Sequence, residues 1–262
     1  MKMDLKKTFK KIGAMLNLRD GRLNPINPVH IIRKRKMLRF YSEFIKEGDL
    51  CFDVGANVGN RTEVFLKLGA SVVAVEPQKT CMDKLKKKYG KNKKIILINK
   101  ALGEKEGQAT MNVSNVHEIS SLSERWLKKV KTTGRFLNWN KNDWSKKVKV
   151  PLTTLDILVK KYGIPAFCKI DVEGFELNVL KGLSKPIKAI SIEFTPEDIE
   201  QSIMCIKYLS TLGKIKLNYS MEESMEWGLP KWVGPKEMSE LLLKYLNPQH
   251  QATFGDIYIK FE

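Results

Sequence analysis

Two periods alternate along this chain. Leu50–Val54 is a short apolar run, followed by a glycine turn and a helical pattern to about residue 68. Residues 71–76 (SVVAVE) read as a second strand, a lysine-rich helix follows to Gly90, and residues 95–99 (IILIN) read as a third strand. Residues 148–152, 166–171 (AFCKID) and 188–194 (KAISIEF) have the same strand character, as do 256–261 (DIYIKF) at the end of the chain. Helical spacing occupies 154–162, closed by Gly163, and about 175–183; residues 197–217 read as a helix running into a strand. Strands that are apolar nearly throughout, separated by amphipathic helices, predict an α/β fold with a parallel sheet covered on both faces.

The segment before the first strand is different. Leu5, Phe9, Ile12 and Leu16 recur at three- or four-residue spacing, with Lys6, Lys7, Lys10 and Lys11 filling the other face. That is a basic amphipathic helix, suited to an anionic bilayer or to docking on the protein's own domain. A loop at 24–28 (NPINP) and a helix over about 29–46, ending near Gly48, lead into the sheet.

Composition changes this picture in one respect. With 262 residues, 42% hydrophobic and 29% charged, the chain is long enough for a large core, and disorder, collagen and coiled coil are excluded as readings of the whole. The 47 Lys+Arg against 29 Asp+Glu give a net charge of +18, concentrated in residues 1–47, 84–105 and 125–149. Such a basic front suggests an anionic partner: a membrane surface, a charged glycan or nucleic acid. The plainer alternative is lysine used as a solubiliser. Cys51, Cys81, Cys168 and Cys205 are far apart with no CxxC pair, which predicts buried free thiols rather than zinc or disulfides. No apolar run approaches a membrane span and no leader-like apolar region follows the N-terminal lysines, so a cytoplasmic protein, with peripheral membrane contact, is expected.

Chemistry is expected beyond the carboxyl ends of the strands, at the first strand-to-helix turn. That turn is Asp53-Val54-Gly55-Ala56-Asn57-Val58-Gly59. Gly55 permits a tight turn and close backbone approach, and Gly59 permits close helix packing. Asn57 stands where a dinucleotide fingerprint would have its middle glycine, and Asp53 ends the strand. A carboxylate there repels a pyrophosphate and suits a cation. S-adenosylmethionine carries an ammonium and a sulfonium and no phosphate. Glu76, ending the second strand 23 residues on, is placed to accept both ribose hydroxyls. The plainer reading makes Asp53 a helix cap and Gly55 a turn residue.

A second block, Lys169-Ile170-Asp171-Val172-Glu173-Gly174-Phe175-Glu176, packs four charges directly after an apolar strand. Asp171 ends the strand, Gly174 allows a turn, and Glu173 and Glu176 open the next helix, where acidic residues are favoured.

At these residues the chain resembles the FkbM-type S-adenosylmethionine-dependent methyltransferases. The resemblance rests on FDVGANVG (52–59), VAVEP (73–77), NKALGEKEG (99–107), SSL (120–122), TTLD (153–156), KIDVEGFE with VLKG (169–182), and IEF (192–194). It leaves out residues 1–47, a basic N-terminal helical extension, and about 123–147, an insertion within the domain of 48–262. It implies a Rossmann-like class I methyltransferase fold: seven strands, mostly parallel, the last antiparallel. It implies cofactor contacts at Asp53, Gly55, Ala56, Asn57, Gly59, Asn60, Glu76 and Pro77, with Ala101 and Leu102 near the adenine. Members methylate hydroxyl oxygens of natural products, sugars or glycans.

Methyl transfer needs the acceptor oxygen held close and its proton removed. Asp171 is the first candidate for that role, Glu193 the second, with Lys169 orienting a carboxylate or lowering its pKa. Asp171 with Glu193 also offers hard oxygen ligands for a divalent cation, although no metal is expected. His117, just before SSL, is a weaker candidate base. Within 125–149, Trp126, Phe136, Trp139 and Trp144 lie among nine cations, an arrangement that can stack on bases or sugars or simply pack on the domain. Trp227 and Trp232, with Glu222, Glu223 and Glu226, form a second candidate lid. The leading expectation is O-methylation of a hydroxylated metabolite, sugar or glycan, anionic or lipid-linked. RNA methylation is the alternative, without an NPPY-like tetrapeptide to support it, and an inactive scaffold of the same fold is a third.

Overall fold

The computed structural model describes residues 28–114, 116–133, 144–246 and 253–262. The amphipathic pattern at 3–18 and the aromatics Phe136 and Trp139 lie outside them.

A seven-stranded sheet runs through the centre in the order β3-β2-β1-β7-β8-β10-β9. The strands are β1 (Leu50–Val54), β2 (Ser71–Val75), β3 (Ile95–Ile98), β7 (Phe167–Ile170), β8 (Ala189–Phe194), β9 (Ile215–Met221) and β10 (Gly255–Phe261). β10 alone runs against its neighbours, pairing antiparallel with β8 and β9 while the other ladders are parallel. This is the class I methyltransferase arrangement. β1 lies between β2 and β7, so the chain leaves it in opposite directions and a crevice opens at its carboxyl end.

Alternation along each strand builds two cores. Phe52, Val54, Cys168, Ile170, Ile190 and Ile192 face one way, under the helices Leu155–Tyr162, Glu176–Leu180, Ile199–Leu212 and Pro235–Tyr245. Cys51, Val72, Ala74, Phe167, Ala189 and Tyr258 face the other way, under Pro28–Tyr41, Asn60–Lys67 and Lys79–Tyr89. Near the carboxyl ends the second face changes character. Two residues on from Cys51, Phe167 and Ala189 come Asp53, Lys169 and Ser191, with Asp256 two before Tyr258. The strands thus carry an apolar base and a charged tip on one side.

Several elements differ from the sequence pattern. The strand expected at 148–152 is β6 (Lys146–Thr153), and it lies outside the main sheet. It pairs antiparallel with β5 (Gly107–Val113) and parallel with the short β4 (Ala101–Leu102) in a separate three-stranded sheet. β5 has no apolar signature because only Met111 and Asn112 among its positions are buried, and one of those is polar. The helix expected at 175–183 is only Glu176–Leu180. Glu173 lies before it, in a turn with φ of 54°.

Pro28–Tyr41 and the turn after it are part of the second core. Phe40, Tyr41 and Phe44 pack against Phe167 and Tyr258, and Trp227 and Trp232 close over the same cluster. Those two tryptophans pack at the partly exposed margin of this core, and neither lines the crevice at the carboxyl end of β1. Trp126 and Trp144 are likewise buried with Ile119, Leu127 and Val130. Trp144 Nε1 donates to the Ile119 carbonyl at 2.7 Å and Trp126 Nε1 to Thr195 Oγ1 at 3.1 Å. Packing accounts for both, and neither is a free stacking platform. All four cysteines are buried free thiols. Among the described residues, no helix is long and apolar enough to cross a membrane.

Candidate functional site

Beyond the carboxyl end of β1 the chain turns sharply. Gly55 and Ala56 N–H groups both donate to the Val75 carbonyl on β2, at 2.9 and 3.0 Å. Gly55, Asn57 and Gly59 all take positive φ, of 82°, 50° and 84°. Asparagine is among the few side chains that tolerate this region. A Cβ on Gly55 would lie 1.8 Å from the Asp171 carbonyl oxygen, so β1 and β7 approach backbone to backbone here. A Cβ on Gly59 would meet Leu85 and Tyr89, the close helix packing expected of it.

These elements wall a cleft of about 310 Å³, a size suited to a small ligand. Nine of the ten cofactor residues suggested by the sequence line it: Asp53, Gly55, Ala56, Asn57, Asn60, Glu76, Pro77, Ala101 and Leu102. Gly59 does not; its role is packing. Asp171, Glu193 and Lys169 line it as well, and so does His117.

Asp53 is buried, and its carboxylate accepts the Thr62 hydroxyl from the helix that follows the glycine loop. It therefore ties strand to helix as well as facing the cleft. Burial pushes its carboxyl up, against the Thr62 hydrogen bond and the nearby Lys169 and Arg61. Glu76 accepts the Asn57 N–H at 2.9 Å on one oxygen and the Gln78 N–H at 2.7 Å on the other. Gln78 in turn carries the far wall. Its amide nitrogen donates to the His117 carbonyl and its oxygen accepts the Ser120 hydroxyl. His117 is thus attached to the β2 side of the cleft.

The opposite end is acidic. Lys169 is buried, and its ammonium donates to Asp256 at 2.8 Å and lies 3.1 Å from Asp171. Burial works against its charge, yet Asp171 and Asp256 hold its pKa well above the ordinary lysine value. Held between the two carboxylates, the Lys169 ammonium fixes the direction of Asp171. Asp256 was not legible as a site residue, being 85 residues further along the chain. Burial, then the charges of Asp171 and Glu173, push Glu193 well above the ordinary carboxyl value. Asp171, Glu173 and Glu193 each bring a carboxylate oxygen within 4.8 Å of the others. That set could hold a hard divalent cation.

The loop between β7 and the helix at 176 is clamped from two sides. Glu176 accepts the Val172 and Gly174 N–H groups, both at 3.2 Å, and the Gln201 side-chain amide at 2.8 Å. From above, Ser121 donates to the Glu173 carbonyl, and Trp126 covers Gly174 so closely that a Cβ there would lie 2.3 Å from it.

Glu76 and Glu176 give a pH prediction. Burial raises both from 4.5 to about 7, against backbone hydrogen bonds that favour the charged form. A carboxyl that binds its proton more tightly folded than unfolded contributes fully below about pH 4.5, and the contribution is lost as pH rises through about 7. The ligand-free protein should melt lower at pH 8 than at pH 6 by calorimetry, and Glu176→Gln should flatten part of that slope. A slope unchanged in the variant would remove Glu176 as a source.

A family model described as the methyltransferase FkbM domain matches residues 53–219. The chain is 25% identical over 192 residues to the hexuronic acid methyltransferase AglP of Haloferax volcanii, covering 70% of this chain and 72% of that protein. Among solved structures it is similar to a precorrin-6y C5,15-methyltransferase of Geobacter metallireducens. That match has a TM-score of 0.43 and 8% identity, over 94% of this chain and 93% of that one. It is also similar to an rRNA methylase of Streptococcus thermophilus, with a TM-score of 0.42 and 12% identity, over 92% and 100%.

Proposed function

We propose, from the premise that this chain belongs to the FkbM family of S-adenosylmethionine-dependent methyltransferases, that it methylates a hydroxyl oxygen of a sugar or glycan. The observation that carries the reading is the pair of opposed walls in one cleft. A glycine loop with Asp53 and Glu76 lies on one side, and Asp171 with Glu193, anchored through Lys169, lies on the other.

The donor set fits the cofactor. The lining is rich in carboxylates, which suits a ligand with positive charge and hydroxyl donors, and Gly55 leaves bare backbone where any side chain would intrude. Asp53, Gly55, Ala56, Asn57, Asn60, Glu76, Pro77, Ala101 and Leu102 would hold it. When bound, S-adenosylmethionine supplies a methyl group activated on a sulfonium.

The remaining work falls to side chains of this chain. Asp171 accepts the acceptor hydroxyl's proton, and Lys169 holds that carboxylate in place. Glu193, beside Asp171 on the same wall, is a hydrogen-bond partner for the acceptor. Trp126 and Ser121 keep the loop bearing Asp171 and Glu173 in register. A sugar acceptor is supported by the similarity to the hexuronic acid methyltransferase AglP. An anionic glycan is supported by the exposed lysines at 84, 86, 87, 88, 91, 93 and 94.

The test is transfer of labelled methyl from S-adenosylmethionine to a panel of hexoses, hexuronic acids, their oligosaccharides and total RNA. Label in a sugar that survives mild base is the expected result, because a methyl ether is stable where a methyl ester is hydrolysed. Base-labile label, or label in RNA and in no sugar, would overturn the reading.

A further inference from the structure

Arg61 belongs to no motif in the sequence, yet its side chain lines the cleft and is only 12% exposed. A guanidinium offers five N–H donors, and burying them without acceptors is unfavourable. Here the donors are poorly served. Nη2 donates to both oxygens of Glu223, at 2.8 and 2.7 Å. Nη1 faces the Met37 sulfur at 3.1 Å, a weak acceptor. Nε is buried with no hydrogen-bond partner among the described residues.

Glu223 is shared with Arg33 at 2.9 Å, so one carboxylate faces two guanidinium groups. Asp53 and Asp256, which also feel Arg61, are already engaged by Thr62 and Lys169 respectively. Nη1, with only a sulfur beside it, is the donor left for an acceptor in the cleft.

We propose that Arg61 recognises a ligand carboxylate in this cleft. The proposal rests on the cleft being the methyl-transfer site. A guanidinium N–H forms a strong, charge-assisted hydrogen bond to a carboxylate. Two carboxylates qualify: the methionyl carboxylate of the cofactor, and that of a sugar acid acceptor.

The experiment compares two ligand pairs by calorimetry on the full chain, wild type and variants. S-adenosylhomocysteine and 5′-methylthioadenosine share the adenosine thioether and differ in the amino-acid group. Glucuronic acid and glucose differ in the carboxylate. Arg61→Gln is expected to reduce the preference within one pair at least tenfold; the first pair assigns the carboxylate to the cofactor, the second to the acceptor. Glu223→Gln, which removes the competing carboxylate but keeps Arg61, is expected to retain or strengthen that same preference. The idea is overturned if Arg61→Gln leaves both preferences unchanged, including the case where wild type shows neither. Loss of the preference in Glu223→Gln also overturns it, because the pair is then only a bridge within the fold. This second variant decides the matter even if Arg61→Gln does not fold. Wild-type protein that binds no S-adenosylhomocysteine would instead overturn the reading of the cleft itself.

Discussion

Asp171→Asn is expected to reduce kcat by about 10²–10⁴-fold, the usual contribution of a positioned proton acceptor, while S-adenosylhomocysteine affinity stays close to wild type. The substitution preserves shape and removes the ability to take a proton. The backbone at 171 is held independently of the side chain, since its N–H donates to the Val54 carbonyl at 2.9 Å. The side chain is aimed by Lys169, itself fixed by Asp256, so the carboxylate is presented in one direction. Steady-state kinetics and calorimetry on the same preparation check the split. An unchanged kcat would take Asp171 out of the mechanism, and lost cofactor affinity would move it to the binding site.

What could be read from the sequence was whatever is contiguous. The turn from Asp53 to Gly59, Glu76 at the end of β2, and the block from Lys169 to Glu176 each sit within one strand-to-helix junction, where spacing alone fixes position. The partners of those residues were hidden because folding brings them from elsewhere. Asp256 reaches Lys169 across β8, Gln78 meets His117 and Ser120 across the cleft, and Glu223 meets Arg61 from 162 residues away. Aromatic residues were ambiguous for a different reason. Trp126, Trp144, Trp227 and Trp232 lie among charged neighbours in the sequence, a pattern that a solvent-facing platform and a buried core produce alike. The structure makes all four packing residues, Trp227 and Trp232 at the partly exposed margin of the second core. The lysine excess also changes meaning. The cleft is acidic, and the cations of residues 84–94 lie on the exposed side of the helix Lys79–Tyr89 and the turn after it, outside the cleft lining.

Gly55→Ala should abolish detectable S-adenosylhomocysteine binding and lower the melting temperature. Two effects combine. The position takes φ of 82°, which costs an L-residue about 1–2 kcal/mol. In addition, the new methyl carbon would sit 1.8 Å from the Asp171 carbonyl oxygen. That neighbour is backbone and cannot swing away as a side-chain tip would. Either the glycine loop lifts off β2, breaking its hydrogen bonds to Val75, or the loop after β7 moves and the Asp171 N–H leaves Val54. Both movements open the cleft between its two working walls, and a displacement of about 1 Å at a positioned group is enough to cost on the order of 10² in rate. Gly48→Ala separates the two effects. Gly48 has φ of 85° but nothing within 4 Å of its would-be Cβ, so it carries the same backbone strain with no collision. It should lower the melting temperature modestly and bind S-adenosylhomocysteine as wild type does. If Gly55→Ala behaved like Gly48→Ala, the contact between β1 and β7 would not be what shapes the cofactor site.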